Sequence, residues 1–452
     1  MSNPNPYNRH NLELRAAEYY ANIRKPESAW VSLKDLEPQL NEIDHRIQAG
    51  DYNAIARVLE CIDYHYLYLW GHYHRLSELR ECLISHLTNS EMRIANLIGF
   101  GRVSRVLGQT EQAIEYLELA VRLAQEDKNP HNECEALYQL GFAYRNQGQA
   151  QRAMQCFEDS LKLTYVLGDT KLEMIRAGSL SWFYLAFGQF ELASTIVEKS
   201  LATARQNNDY WEESVNLTRL GHIYYAFSQP DRAVRSYARA LKIARETDMR
   251  VNQAVNLGYL GQTYQELGYW EEAIEYHREG LKIAREISAR WNEGYQLLQL
   301  GRTMLRIGEP AQARDYCTQA LQMEFPETDY QAALMLGIAF LHLQSFSLAN
   351  EAFTRSVIRC KSKLEEAPRL YIPSYALATA LTCQVILDAR WVDAVQRADL
   401  LAPALTEYRR ALEITSAPGV VRDALRDLEL IRAAGVEGLE PVFALLEQAL
   451  NA

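Results

Sequence analysis

Residues 140–161 read LGFAYRNQGQAQRAMQCFEDSL. Apolar residues recur at i, i+3, i+4 and i+7 on each side of the central glycine, which is the stripe of an amphipathic helix written twice. The small residue Gly141 lets one helix approach the next closely. Tyr144, one turn on, fills the gap beside it. Gly148 ends the first helix in a left-handed cap, and Ala153 stands where the second helix crosses the first. This stretch therefore predicts a helix–turn–helix. Five further segments repeat it on a 40-residue ruler, at 100–121, 180–201, 220–241, 260–281 and 300–321. The small opener recurs as Gly101, Ser181, Gly221, Gly261 and Gly301, and the crossing alanine as Ala113, Ala193, Ala233, Ala273 and Ala313. The turn residue recurs as Gly108, Gly188, Ser228, Gly268 and Gly308. A seventh copy follows after 36 residues, with Gly337, Phe340, Gln344, Ala349 and Phe353.

Each helix pair has apolar flanks on both sides, so stacking is what buries them. The 452 residues thus read as one array and not as three ordinary domains. Composition agrees. Gly and Pro number only 22 and 13, too few for a turn-rich all-β chain. Lys+Arg total 47 against 58 Asp+Glu, a net charge of −11, which argues against a surface that grips nucleic acid throughout. No apolar run approaches a membrane span, and the first 20 residues lack the apolar core of a signal peptide. The seven cysteines include no C-x-x-C pair, so reduced core thiols in a cytoplasmic protein are expected.

The repeat resembles the tetratricopeptide repeat, lengthened by six residues. The fold expected is all-α, a right-handed α-solenoid of tetratricopeptide-like helix pairs with a 40-residue period. The expected division is an N-terminal helix and linker (1–30), degenerate helical repeats (31–90) and seven repeats (91–360). An irregular pair (361–413, around Trp391 and Ala394) and capping helices closing the end of the stack (414–452) would follow; the stretch 361–373 reads as a bend.

In that family the first helix of each pair lines a concave surface, and ligand contacts fall on its inward positions. Carried onto this chain, those positions are Arg102 and Arg105, then Tyr138, Phe142, Arg145 and Asn146. Next come Trp182, then Arg219, His222 and Tyr225, then Tyr259 and Gln262, and finally Arg302 and Arg306. Six arginines face two glutamates, Glu135 and Glu266, in an otherwise acidic chain. Arginine beside flat aromatics suits carboxylates and extended peptides. Gly99, Gly178 and Gly258 on the same face would leave room for a ligand. Two readings stand: a basic, aromatic groove for an acidic or carboxylate-bearing protein or peptide, or solvated arginines over aromatics that merely pack between repeats. The family's carboxylate clamp has no clean copy here.

Residues 14–84 resemble the entry into the C-terminal repeats of bacterial STAND NTPases, the NLR-like switch proteins. The elements are Arg15–Tyr20, Arg24-Lys25-Pro26, Trp30, Gln48–Tyr52 and Trp70-Gly71-His72-Tyr73. The resemblance implies a ligand-sensing region in signalling or defence. Its nucleotide-binding module is expected in the same or a neighbouring chain, because no P-loop pattern occurs in this one. A constitutive scaffold that oligomerises through its end layers is the other reading. No G-x-S-x-G or H-E-x-x-H pattern occurs, so neither enzyme chemistry nor a cofactor is expected. His65, His72 and His74 read as part of an aromatic layer and not as a metal site, since His72 and His74 point apart on one helix.

Overall fold

The computed structural model describes residues 8–30, 32–68, 72–147, 149–287, 289–323, 328–388 and 400–451. Trp70, Gly71, Gly148, Trp391 and Ala394 lie outside the described residues. Among the described residues there are helices and no strand, in agreement with the all-α reading. The chain divides into two compact units, Met1–Arg176 and Ala177–Ala452.

The first unit opens with α1 (Arg9–Asn22), α2 (Glu37–Ala49), α3 (Tyr52–Ile62) and α4 (Tyr73–Glu81). Two repeats follow, α5 (Ser90–Val106) with α6 (Thr110–Glu126) and α7 (Pro130–Asn146) with α8 (Ala150–Leu167). Helix α9 (Thr170–Ala186) runs across the division. In the second unit come α10 (Phe190–Gln206), α11 (Tyr210–Ala226), α12 (Pro230–Glu246), α13 (Arg250–Leu267) and α14 (Trp270–Glu286). Then follow α15 (Arg290–Arg306), α16 (Pro310–Gln322), α17 (Asp329–His342) and α18 (Phe346–Glu366). The chain ends with α19 (Tyr371–Asp388), α20 (Ala402–Ile414), α21 (Pro418–Ala433) and α22 (Glu440–Asn451). In the stretch 361–373, read as a bend, α18 ends at Glu366, a turn follows at 367–370 and α19 starts at Tyr371.

The sequence explains these boundaries. The odd helices α5 to α15 start at residues 90, 130, 170, 210, 250 and 290, which is the 40-residue ruler. Asn89, Asn129 and Asp209 accept backbone N–H groups of the first turn, and Pro130, Pro230 and Pro310 occupy the first helical position. Gly108, Gly188, Gly268 and Gly308 carry φ between +66° and +82°, and Ser228 takes +53° in the same role.

The small opener is explained by what lies 16 residues later. A Cβ on Gly221 would stand 2.6 Å from Cδ1 of Tyr237, and one on Gly337 2.6 Å from Cδ1 of Phe353. Both rings are fully buried. The repeat that opens with Ser181 has the smaller Val197 at that position, so opener and filler are matched in size. The crossing alanines Ala113, Ala153, Ala193, Ala233, Ala273, Ala313 and Ala349 are all fully buried.

From α10 to α19 each helix packs on the next, and the first helices of neighbouring repeats also touch, α11 on α13, α13 on α15, α15 on α17. They make the inner layer of the second unit. Being buried on most sides, they carry polar residues that bond between repeats. His277 of α14 meets Gln296 Oε1 through Nδ1 (2.8 Å) and Gln265 Nε2 through Nε2 (3.0 Å). Burial pushes this imidazole down to about 4, although the bond to Gln296 acts the other way, so it is neutral at pH 7.

Candidate functional site

In the first unit the inward residues form two clusters. Asp63 opens a π-helical stretch, Asp63–Tyr68, that follows α3. Burial pushes its carboxyl up, but the guanidinium groups of Arg80 and Arg102 outweigh that and hold it below the usual range. Tyr64 and Tyr68 each place a ring 5.0 Å from Arg102 Cζ. Arg102 is thereby tied to the N-terminal aromatic layer, where Trp30 also meets Tyr66 edge-on at 4.9 Å.

The second cluster is centred on Phe142. Its ring lies 5.3 Å from Arg105 Cζ and 4.9 Å from Arg145 Cζ, with Tyr138 edge-on at 4.8 Å. Arg176 lies 3.6 Å over the Tyr138 ring and pairs with Glu135. Arg145 and Asn146 are exposed at the end of α7. Two cations on one ring, with an exposed amide beside them, can receive carboxylates or backbone carbonyls.

In the second unit the inward residues form a ladder of rings. His222 meets Tyr259 at 4.0 Å, Tyr259 meets Tyr295 at 5.6 Å, and Trp291 stacks on Tyr295 at 5.6 Å. Trp182 is exposed and lies 6.2 Å from His222. The Tyr295 hydroxyl donates to Gln262 Oε1 at 2.7 Å. Burial lowers His222 to about 4, so it too is neutral.

This face holds a helix of the same chain. The expected cap, α21, instead packs on α11, α17 and α19. Tyr225 donates to Asp423 at 2.8 Å, and Arg426 reaches Glu266 at 3.0 Å. Arg302 pairs with Asp427 at 3.3 Å and Arg306 with Glu429 at 3.4 Å. Burial raises the Asp427 carboxyl in spite of Arg302 and Arg306. Gly419 lies against the carbonyl oxygens of Tyr225 and Ala226, the latter 2.9 Å from where its Cβ would be. Between α21, α19 and the inner layer remains a cavity of about 470 Å³.

Two expectations change. The space at the inner-face glycines is taken by neighbouring side chains, Arg80 against Gly99, Arg219 against Gly178, and Tyr295 with Gln296 against Gly258. Arg219 is buried, bonded to Asn216 Oδ1 at 3.0 Å and 5.9 Å from the Trp182 ring, so it braces the inner layer. Sequence reasoning missed α21 and the α19 tyrosines, Tyr371 and Tyr375, as parts of the site. The signal was there: Asp423 and Asp427 fall at i, i+4 on one helical face. Among the described residues no group of three or more His, Cys, Asp or Glu could hold a metal ion. No helix among them is long and apolar enough to cross a membrane.

A family model described as tetratricopeptide repeat matches residues 92–165 and 212–286, and one described as anaphase-promoting complex subunit 5 matches 175–217. No curated protein matches the sequence significantly. The apo form of the quorum sensor NprR from B. thuringiensis is similar over 84% of this chain and 99% of its own, at 15% identity and a TM-score of 0.52. NprR in complex with its cognate peptide NprX gives the same coverage and TM-score at 14% identity. The apo form of RapI is similar over 61% of this chain and 99% of its own, at 14% identity and a TM-score of 0.53. A STAND protein with a tetratricopeptide repeat sensor from Pyrococcus horikoshii is similar over 90% of this chain at 16% identity and a TM-score of 0.44; this chain spans 53% of its length. At these identities the likeness is one of fold.

Proposed function

We propose that the chain, two stretches of which match the tetratricopeptide-repeat family model, recognises polypeptide segments carrying carboxylates on the inner faces of its repeats. The observation that supports this most is α21 itself. A helical segment bearing Asp423, Asp427 and Glu429 lies on the inner layer of the second unit, and the inward arginines Arg302 and Arg306 meet two of those carboxylates. A surface whose arginines pair with the carboxylates of one helix has the chemistry to pair with those of another. In the first unit, Arg105, Phe142, Arg145 and Asn146 offer the same cation-and-ring chemistry. The peptide bound to NprR belongs to that protein, and it illustrates the use we propose for this fold.

On this reading α21 is an internal occupant that an external segment would displace. The narrower role, sensor repeats of a STAND-type switch, rests on the sequence resemblance over residues 14–84. The reading is tested by phage display of helical peptides on the full chain. Carboxylate-rich sequences should be enriched, and the enrichment should fall in Arg105→Ala/Arg145→Ala or in Arg302→Met/Arg306→Met. Enrichment that ignores both pairs of substitutions would sink it.

A further inference from the structure

The cavity beneath α21 differs from the groove of the proposed function in size and chemistry. Its volume of about 470 Å³ lies in the range of small-molecule sites and is too small for an extended peptide. Nine Phe, Tyr or Trp side chains line it, together with His222. They come from five elements or more: Trp182 from α9, Tyr259 from α13, Trp291 from α15, Tyr330 from α17 and Tyr371 from α19. Flat walls on several sides favour a flat guest, since π faces prefer offset or edge-on ring contacts at 4.5–7 Å, a rough range.

Charge and hydrogen bonding narrow the guest. The charged side chains of the lining are Arg302, Lys363, Asp423 and Asp427, two of each sign. Arg302 pairs with Asp427, and Asp423 is held by Tyr225 and Arg426. Among the described lining residues the formal charges sum to zero. Polar groups of the wall are engaged with one another, Tyr295 with Gln262 Oε1 and Tyr225 with Asp423.

We infer that the cavity between the inner layer, α19 and α21 is a binding site for a small, neutral, planar aromatic molecule. The rings supply its faces. This site is independent of the peptide reading: it would stand even if no polypeptide bound the inner face.

The test titrates the full chain with 2-naphthol, which is flat and carries one hydroxyl, and with decahydro-2-naphthol, the saturated analogue. Binding is read from Trp182 and Trp291 fluorescence and by calorimetry. The expectation is saturable one-site binding, with 2-naphthol at least tenfold tighter than its analogue. Ala186→Trp and Ala376→Phe, which fill the cavity from α9 and α19, should each weaken 2-naphthol at least tenfold with unchanged circular dichroism. No saturable binding, equal affinity for both probes, or filled variants that bind like wild type would overturn the assignment. Should both variants fail to fold, amide exchange of the wild type decides. Slower exchange with 2-naphthol at 371–379 and 420–427 supports the site, and slowing elsewhere or nowhere overturns it.

Discussion

Replacing Gly419 by alanine should unseat α21. Gly419 stands in the first turn of that helix, and an added Cβ would be driven into the backbone carbonyl oxygen of Tyr225. A carbonyl at the end of α11 cannot turn aside as a flexible side chain could. Overpacking of this kind costs about 1–3 kcal/mol. The better helix propensity of alanine offsets at most about 1 kcal/mol. A net loss of about 2 kcal/mol raises the open population of α21 roughly thirtyfold. Native-state amide exchange reads that population directly where reclosing is faster than exchange from the open form. Amides of 420–433 should exchange roughly thirty times faster in Gly419→Ala, while those of the repeat helices α12 to α16 stay close to wild type. Gly435→Asn serves as the control. It lies beyond the other end of α21 in open space, with a left-handed φ that asparagine tolerates. Unchanged protection of 420–433 in Gly419→Ala would refute the seating of α21 on the inner face. Loss of protection across the whole second unit would refute its being a separable element.

Three further outcomes can be measured. Gly221→Ala should cost about 1–3 kcal/mol in chemical denaturation, and Tyr237→Val should recover part of it, as the Ser181/Val197 pair suggests; additive losses would contradict the matched sizes. His277 is held neutral at about 4 by burial, so its contribution is intact above the unfolded value near 6.5 and is lost as pH falls towards 4. The loss amounts to about 3 kcal/mol at most, and the fall in Tm between those pH values should be shallower in His277→Gln. Arg302→Met and Asp427→Leu should each speed exchange of α21, because each leaves a buried charge alone. The double variant should be closer to wild type than either single one, and simple additivity would speak against the pair.

Much of the fold was legible because the repeat writes its packing into residue size. A glycine opener, a turn glycine and a crossing alanine each answer to one local contact, and those contacts recur at fixed offsets. The inner face was legible in its residue types but not in its occupancy. Arg302 and Arg306 stand at the positions the family pattern assigns, yet their partners Asp427 and Glu429 are more than 120 residues away. No periodicity links them. Arg219 shows the opposite limit: position suggested a ligand contact, but Gly178 in the preceding repeat opens a slot that draws the guanidinium inward. Tyr371 and Tyr375 fell where the ruler breaks, so their place in the cavity depends on how α19 packs on α17 and α18.

The central claim is that the inner layer of the second unit receives a helical segment through its carboxylates. Its most direct test is fluorescence anisotropy of a labelled peptide of residues 417–434 against the full chain. The account predicts weak binding to the wild type, whose own α21 occupies the face. It predicts saturable binding to Gly419→Ala that is lost when Arg302→Met and Arg306→Met are added. Failure of the peptide to bind Gly419→Ala, once exchange has shown α21 released, would contradict it.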